Sequence, residues 1–193
     1  MKMNELISTA KEFILQPKLA WDKHKTDTTS SQDHLLKYVL PLALIPAIAT
    51  FIGVGLIGTS LYGSRIVSVQ YGLNQAVISL FSALIGVWLS GFIIHKLAPT
   101  FNTSVSLDSA VRLVGFSYTP VWVAGVLNII PTLGVLIFIA GIYSLYVLYL
   151  GFEPITKVSE EKKMGYFIVS LITIVVVYAI IGLILGAIFR LFI

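Results

Sequence analysis

Apolar side chains dominate this chain in five long, uninterrupted runs. The runs cover residues 38–59, 76–94, 113–130, 132–152 and 164–189, and none has Asp, Glu, Lys or Arg in its interior. A bilayer core about 30 Å thick needs about 20 apolar residues per helix, and a charge at its centre costs about 2.5–3.5 kcal/mol. The pattern therefore predicts an all-α integral membrane protein with five transmembrane helices.

The N-terminal segment has a different pattern. Between residues 3 and 14, apolar side chains recur at i, i+3, i+4, i+7 spacing, which is typical of an amphipathic helix. We interpret residues 1–25 as an N-terminal cytoplasmic amphipathic arm, 26–34 as a polar linker and 35–193 as the five-helix membrane domain. Ser30-x-x-Asp33 at the end of the linker resembles a helix N-cap.

The arm has two interpretations. In the first, its helix lies on the cytoplasmic leaflet with its apolar face at headgroup depth, which makes Phe13, Ile14 and Trp21 candidate membrane-surface residues. In the second, the same apolar stripe packs on the helix bundle or on a second subunit. The sequence alone leaves both open.

The distribution of Lys and Arg predicts the orientation. With five spans, eleven of these residues fall on the side of the N-terminus, whereas only Arg65 and Arg190 fall on the other side. Because cytoplasmic loops carry the excess of Lys and Arg, the N-terminus is predicted in the cytoplasm and the C-terminus outside. We expect a multi-pass membrane protein.

Composition narrows the function classes. Charged residues make up only 11% of the chain, against about 25% in a soluble domain. The formal net charge of +4 comes from scattered loop residues, which topology explains, so no nucleic-acid partner is expected. The chain has no cysteine, which excludes disulfides, thiol nucleophiles and Cys-ligated metals.

The most polar cluster within a span surrounds Pro120. Proline removes a backbone donor and clashes with the preceding turn, but Ser and Thr hydroxyls can satisfy the carbonyl that it frees. The candidate polar and kink site comprises Ser117, Tyr118, Thr119, Pro120 and Asn128.

Two charged residues, Asp108 and Arg112, mark the start of the same span as a candidate boundary pair, because residues four apart share a helix face. The alternative is an ordinary helix cap and interfacial anchor.

Signs of catalysis are absent from the sequence. No ionisable group lies at mid-span, and the chain has neither a Gly-x-Ser-x-Gly elbow nor a Gly-rich phosphate loop. His24 and His34 lack the helical spacing of metal ligands. We therefore predict no catalytic residues, no metal site, no cofactor and no enzymatic activity.

Small residues recur four apart in two spans. Ser82-x-x-x-Gly86-x-x-x-Ser90 lies in the second and Gly182-x-x-x-Gly186 in the fifth. Such stripes let helices approach closely in lipid. The partners that we expect are the lipid bilayer and, through these faces, further copies of the chain or other membrane proteins.

The segment Gly115-Phe116-Ser117-Tyr118-Thr119-Pro120 resembles the glycine–aromatic–serine…proline segment in the third helix of Yip1-domain proteins. QPKLAW at 16–21 is similar to the entry segment of bacterial members, and the apolar hairpin from Ile129 to Phe152 looks like their third-to-fourth helix region. The resemblance covers nearly the whole chain and implies five membrane helices in a bacterial inner (cytoplasmic) membrane.

The chain also departs from the family pattern. The Asp-Leu-x-Gly-Pro motif of eukaryotic members is missing before the first span, and Phe101-Asn102-Thr103 replaces a glycine pair of the bacterial members. Eukaryotic members are linked to Rab GTPases, but these departures give no ground for carrying a GTPase partner over to this chain.

Two functions follow as hypotheses. The first is a non-enzymatic scaffold that organises the bilayer or other membrane proteins. The second is an oligomeric transporter or channel for a small solute or ion, which uses the third helix broken at Pro120, since broken helices line midplane sites in transporters.

Overall fold

The computed structural model describes residues 1–61 and 64–190. Within them, five helical segments are long and apolar enough to cross a bilayer: Ser31–Ile57, Val69–Phe101, Leu107–Ile129, Gly134–Thr156 and Glu160–Ile184. The prediction of an all-α membrane protein with five transmembrane helices is confirmed.

The helical elements follow one another with short connections. The helices α1 (Met3–Leu15) and α2 (Pro17–His24) come before the first span, which combines α3 (Ser31–His34), a π-helical turn (Leu35–Val39), α4 (Leu40–Thr50) and a second π-helical turn (Phe51–Ile57). The second span is α5 (Val69–Leu97) with a 3₁₀ turn (Ala98–Phe101), and the third is α6 (Leu107–Ser117), α7 (Thr119–Ala124) and a 3₁₀ turn (Gly125–Ile129). A 3₁₀ turn (Pro131–Leu133) leads to the fourth span, α8 (Gly134–Thr156), and α9 (Glu160–Arg190) forms the fifth.

A short hairpin joins the first two spans. Its strands β1 (Thr59–Leu61) and β2 (Ser64–Ile66) pair antiparallel, with Ser60 opposite Arg65. Gly58, with φ of 88°, ends the first span in a conformation that glycine adopts without the strain of a side chain.

The third span lies at the centre of the bundle. Of its most apolar window 67% is buried, against 22–33% for the other spans. It packs between α5 and α8, and α5 also contacts α4 and α9. A central helix that contacts protein on most sides is a place where polar side chains can be satisfied by protein rather than exposed to lipid.

Glycines allow the close approach of α5 to its neighbours. A Cβ at Gly91 would lie 2.7 Å from the Cα of Val111, and one at Gly86 would lie 2.5 Å from the Tyr178 ring of α9. The second-span stripe of small residues is therefore used for packing within the chain. Gly182 in the fifth span is exposed, and a Cβ there would meet no atom within 4 Å.

The first span starts earlier than its apolar run. Ser30 accepts a hydrogen bond from the backbone amide of Asp33 at 3.2 Å, as expected of a helix N-cap. The helix thus begins inside the predicted polar linker, and only residues 25–30 connect α2 to the first span.

Candidate functional site

An aromatic cluster joins the N-terminal helices to the bundle, with Phe116 at its centre. Phe13 of α1 stacks on the Phe116 ring with centroids 4.5 Å apart, and Tyr38 of the first span meets the same ring edge-on at 4.7 Å. Trp21, His24 and His34 also contact it, at 6.0, 5.1 and 4.5 Å. Phe13, Trp21 and Tyr38 are essentially fully buried.

This cluster distinguishes the two interpretations of the arm. Placement at the membrane surface is wrong for Phe13 and Trp21, which lie inside the protein with 0% and 1% of their surface exposed, and the alternative, in which the apolar stripe packs on the helix bundle, agrees with the structure. The helix α1 packs on α6 and α7, and α2 packs on α8. Large aromatic side chains gain free energy both from burial and from stacked or edge-on contact with other rings, as Phe13 and Trp21 do here. Ile14 is half-buried at the edge of this contact.

Two hydrogen bonds fix the N-terminal helices to α8. The Trp21 indole Nε1 donates to the carbonyl of Val147 at 2.9 Å, and the Tyr143 hydroxyl donates to the carbonyl of Ile14 at 2.7 Å. Both bonds span more than 120 residues of sequence. They attach residues 14–21 to the side of a transmembrane helix.

The linker is bound by the residues predicted as a boundary pair. The Arg112 guanidinium donates to the carbonyls of Asp27 and Thr29, and the Asp108 carboxylate accepts the backbone amide of Ser31 at 2.7 Å. Among the described residues, no ion pair joins Asp108 to Arg112. Of the two interpretations, mutual pairing is therefore not observed, and each residue instead anchors the linker at the start of the third span. The physical reason is that unpaired linker carbonyls offer the buried Arg112 a fixed set of acceptors.

A cavity of about 230 Å³ lies between α1, the linker and the first span. Its lining includes Glu5, His24, Asp27, His34 and Tyr38. Burial lowers the pKa of His24, although Glu12 and Asp27 lie 3.6 and 3.9 Å from its ring nitrogens. Burial alone would raise the pKa of Asp27, but hydrogen bonds from the Thr29 hydroxyl and amide hold it below its ordinary value. Among the described residues, no three His, Asp or Glu side chains form a metal-binding group.

The helix break at Pro120 is satisfied by hydroxyls. Pro120 cannot donate to the carbonyl of Phe116, and the Thr119 hydroxyl donates to that carbonyl at 2.7 Å instead. The amide of Val121 donates to the Ser144 hydroxyl of α8 at 3.2 Å. Tyr38 shares a 2.7 Å hydrogen bond with Thr119, which ties the first span to the break.

Ser117 has a similar role one turn earlier. Its hydroxyl donates to the carbonyl of Leu113 at 2.6 Å, and both Ser117 and Thr119 are fully buried. Their hydrogen-bonding capacity is used within the third span and toward the first, so these two residues hold the bend together.

Tyr118 and Asn128 face a different environment. They line a cavity of about 290 Å³ beside the third span, together with Ser79, Trp122 and Tyr178. The Tyr118 and Tyr178 rings stack with centroids 5.7 Å apart. The structure therefore divides the candidate site into a bonded part at Ser117, Thr119 and Pro120 and a cavity-lining part at Tyr118 and Asn128.

Sequence reasoning did not find the aromatic cluster. Phe13 and Phe116 are 103 positions apart. Phe13 lies in a helical stripe and Phe116 in the glycine–aromatic–serine…proline segment, and neither pattern states that the two rings meet. One signal was available, since Gly115 precedes Phe116. A Cβ at Gly115 would lie 2.4 Å from Nε2 of His34, so only glycine leaves room for that ring.

The chain is similar to known membrane proteins. Over 138 residues the chain is 27% identical to a protein named inner membrane protein YohC from Escherichia coli K12, a match covering 69% of this chain and 71% of that protein. The same protein from E. coli O6:H1 matches equally. No solved structure matches. Residues 11–189 match the Yip1 domain, and the chain therefore belongs to the Yip1 family of membrane proteins.

Proposed function

We propose that this protein is a non-enzymatic organiser of the inner membrane, acting on the bilayer or on other membrane proteins. The observation that carries the proposal is that the buried polar groups around the break in the third span are hydrogen-bonded to protein. Ser117 and Thr119 bond to carbonyls of their own span, and Ser144 of α8 takes the amide of Val121. Groups bonded in this way stabilise a fixed helix arrangement and have little capacity left for a passing solute.

The filling of the bundle supports the same proposal. On the linker side of Pro120, the rings of Phe13, Trp21, Tyr38 and Phe116 fill the space between α1, α2 and the first and third spans. All four are at most 4% exposed. Close packing of these four rings holds the N-terminal helices and the first and third spans in one fixed arrangement.

The outer surfaces of the fourth and fifth spans provide the contact area that an organiser needs. Large apolar side chains such as Phe138, Ile142, Ile172 and Val175 are more than half exposed. These faces are available to lipid, to further copies of the chain or to other membrane proteins. The orientation proposed with this role has the N-terminus in the cytoplasm. A GTPase partner is not part of the proposal.

The cavity beside Tyr118 and Asn128 favours a second candidate, an oligomeric pathway for a small solute or ion. Its volume of about 290 Å³ and its lining from several spans are the features that support it. Among the described residues, no charged side chain contributes to that lining. Coupled transport commonly uses intramembrane ionisable groups, so this candidate comes second.

Reconstitution separates the two candidates. Purified protein in liposomes is tested for flux across a panel of ions and small metabolites, with Tyr118→Phe as the variant. We expect no flux above protein-free liposomes. Flux that falls in Tyr118→Phe would overturn the proposal in favour of the transporter.

In-membrane photocrosslinking tests the organiser directly. A photoreactive residue replaces exposed Ile142 or Ile172, and the matched control replaces buried Val147 or Ile174 of the same helices. We expect discrete protein adducts of defined mass from the exposed positions only. Adducts to lipid alone would limit the role to the bilayer, and adducts from neither position would contradict contacts on these faces.

A further inference from the structure

The cavity beside Glu5 and His34 is enclosed by separate parts of the chain. The N-terminal helices contribute Thr9 and His24 to its lining, the linker contributes Asp27, and the first span contributes His34. This histidine cavity has a volume of about 230 Å³. A molecule held in it contacts the N-terminal helices and the membrane domain at the same time.

The two histidines of the cavity have hydrogen-bonding capacity that the protein does not use. Both rings contact Phe116, with centroids 5.1 Å away for His24 and 4.5 Å for His34. His34 is only 3% exposed, and among the described residues the buried Nε2 atoms of both rings have no hydrogen-bond partner. Buried polar atoms are nearly always bonded to protein, water or a ligand, so an occupant is expected here.

Asp27 adds a free carboxylate oxygen beside this pair. Its Oδ1 accepts the amide and the hydroxyl of Thr29, at 2.8 and 2.6 Å. Its Oδ2 lies 3.9 Å from Nδ1 of His24, which is beyond hydrogen-bond distance. Arg112 donates to the backbone carbonyl of Asp27 and not to this carboxylate. A charged acceptor is therefore available where the linker meets α2.

The charge of the lining favours a cation. Glu5, Asp27 and Asp33 contribute carboxylates to it. Lys37 is the one Lys or Arg among the described lining residues, and its ammonium is paired with Asp33 at 2.9 Å. Burial lowers the pKa of His24, so its ring is neutral at pH 7 and adds no positive charge.

The remaining lining narrows the class of cation. The rings of Tyr38 and Phe116 line the cavity, and aromatic rings attract ammonium groups placed near them. The free oxygen of Asp27 and the acceptor nitrogen of a neutral imidazole need hydrogen-bond donors. A primary ammonium carries both a positive charge and three donors, which meets each of these requirements.

We propose that the histidine cavity binds a primary ammonium group, which donates to Oδ2 of Asp27 and to a ring nitrogen of the histidine pair. Because the lining joins the N-terminal helices to the first and third spans, the bound ammonium stabilises the docked position of those helices. The cavity lies at the start of the first span, so the group comes from a soluble amine or from a phosphatidylethanolamine headgroup. The site is independent of whether the protein organises other membrane proteins or transports a solute.

Thermal unfolding of the full chain in detergent tests the chemistry of the site. The probe is ethanolamine at pH 7, and ethylene glycol, glycolate and choline are its neutral, anionic and quaternary counterparts. A ligand that binds only the folded protein raises its unfolding temperature with concentration. We expect this rise with ethanolamine alone. No rise with ethanolamine, or an equal rise with any of the other three compounds, would overturn the assignment of a primary ammonium.

Substitution of Asp27 tests where the ammonium binds. Asp27→Asn keeps an oxygen for Thr29 but removes the charge, so we expect the apparent affinity for ethanolamine to fall about tenfold. Asp22→Asn, which changes an exposed carboxylate paired with Lys25, is the matched control and should bind as the wild type does. Equal affinity of the two variants would overturn the role of Asp27.

A second pair of variants leaves every charge in place. Thr9 is 3% exposed and lines the cavity, so Thr9→Leu fills part of it, whereas Thr9→Val keeps its volume. We expect Thr9→Leu to lose the response to ethanolamine and Thr9→Val to retain it. An unchanged response in folded Thr9→Leu would place the ammonium outside the histidine cavity and overturn the proposal.

Spin labelling distinguishes the two sources and tests the effect on docking. The chain has no cysteine, so Lys18→Cys carries a single label on an exposed position of α2. Its mobility is measured in phosphatidylcholine vesicles with added ethanolamine, and in vesicles that contain phosphatidylethanolamine without it. Immobilisation by ethanolamine alone identifies a soluble amine, and immobilisation by the lipid alone identifies the headgroup. Unchanged mobility in both would overturn the proposal that the ammonium stabilises docking.

Discussion

The indole of Trp21 lies directly over Gly151 of α8, where a Cβ would approach Cε2 of the ring to 2.2 Å. The same indole donates to the carbonyl of Val147, one turn earlier on α8. This pair of contacts makes the fourth span the docking surface of α2. The absence of a side chain at position 151 is what allows it.

Enlarging Gly151 should release the N-terminal helices. In Gly151→Val the indole must move, and we expect a loss of about 1–3 kcal/mol in docking free energy, as for overpacked sites in general. The measurement is the rate of proteolysis at the linker in intact membranes, which should rise. Gly141→Val in the same helix is the control, because a Cβ at Gly141 meets nothing within 4 Å. Equal proteolysis of the two variants would contradict the docking.

Removing the hydroxyl of Thr119 should weaken the bend in the third span. Thr119→Val leaves the carbonyl of Phe116 and the hydroxyl of Tyr38 without their buried partner, at a cost of about 1–3 kcal/mol. Thr119→Ser keeps the hydroxyl and should remain close to wild type. Thermal unfolding in detergent measures the difference. If the two variants unfold alike, the hydroxyl is not what stabilises the break.

Arg112 should be irreplaceable by lysine in holding the linker. The guanidinium reaches two linker carbonyls and the Ser109 hydroxyl at once, whereas one ammonium cannot reproduce that geometry. We expect Arg112→Lys to lose about 1–3 kcal/mol of stability, since it leaves buried acceptors unpaired. Unfolding in detergent reports it. Lys37→Arg, which preserves an exposed pair with Asp33, is the control and should change nothing.

Acidification should loosen the N-terminal helices through His24. Burial lowers the pKa of His24, so the released state binds more protons than the docked state between that pKa and the ordinary value of about 6.5. Docking should therefore weaken as the pH falls from about 7 to about 5, and recover as it rises. The carboxyl pKa values of Glu12 and Asp27 are lowered in the docked state. The stabilisation that these carboxylates contribute is therefore lost only at lower pH, as the pH falls through those pKa values.

A spin label on exposed Lys18→Cys follows this release as an increase in mobility. Combining it with His24→Gln should flatten the response between about pH 7 and 5, because glutamine does not titrate there. His95→Gln is the matched control. His95 lies on the second span, where its ring nitrogen Nδ1 shares a hydrogen bond with the carbonyl of Val105. A full response that survives His24→Gln would assign the effect to another group.

The orientation of the chain is open to a direct assay. A reporter fused after Ile193 should be active only outside the cytoplasm, and one inserted at Val158 only inside, because of the excess of Lys and Arg on the N-terminal side. Activity on the same side at both sites would refute the five-span topology, and reversed activity would refute the orientation.

Sequence by itself determined the membrane-spanning architecture. Residue runs free of charge and long enough for a bilayer can only be helices there, because every backbone group must be bonded within its own segment. The same local reasoning placed the N-cap at Ser30 and the break at Pro120, and predicted that a neighbouring Ser or Thr hydroxyl satisfies the freed carbonyl, as the Thr119 hydroxyl does at Phe116. Each of these features depends on residues within four positions of one another.

Only the tertiary structure decided what the polar and aromatic residues contact. Phe13 and Trp21 belong to an apolar pattern that is compatible with contact either to lipid or to protein. In the structure they contact protein, because Phe13 packs on Phe116 and Trp21 packs on Gly151. Arg112 does not pair with Asp108 on its own helix but donates to the carbonyls of Asp27 and Thr29, about 84 positions away in the sequence. A helical period states which side chains share a face but not what that face meets, because the partner lies far along the chain and is brought there only by the folding of the whole bundle.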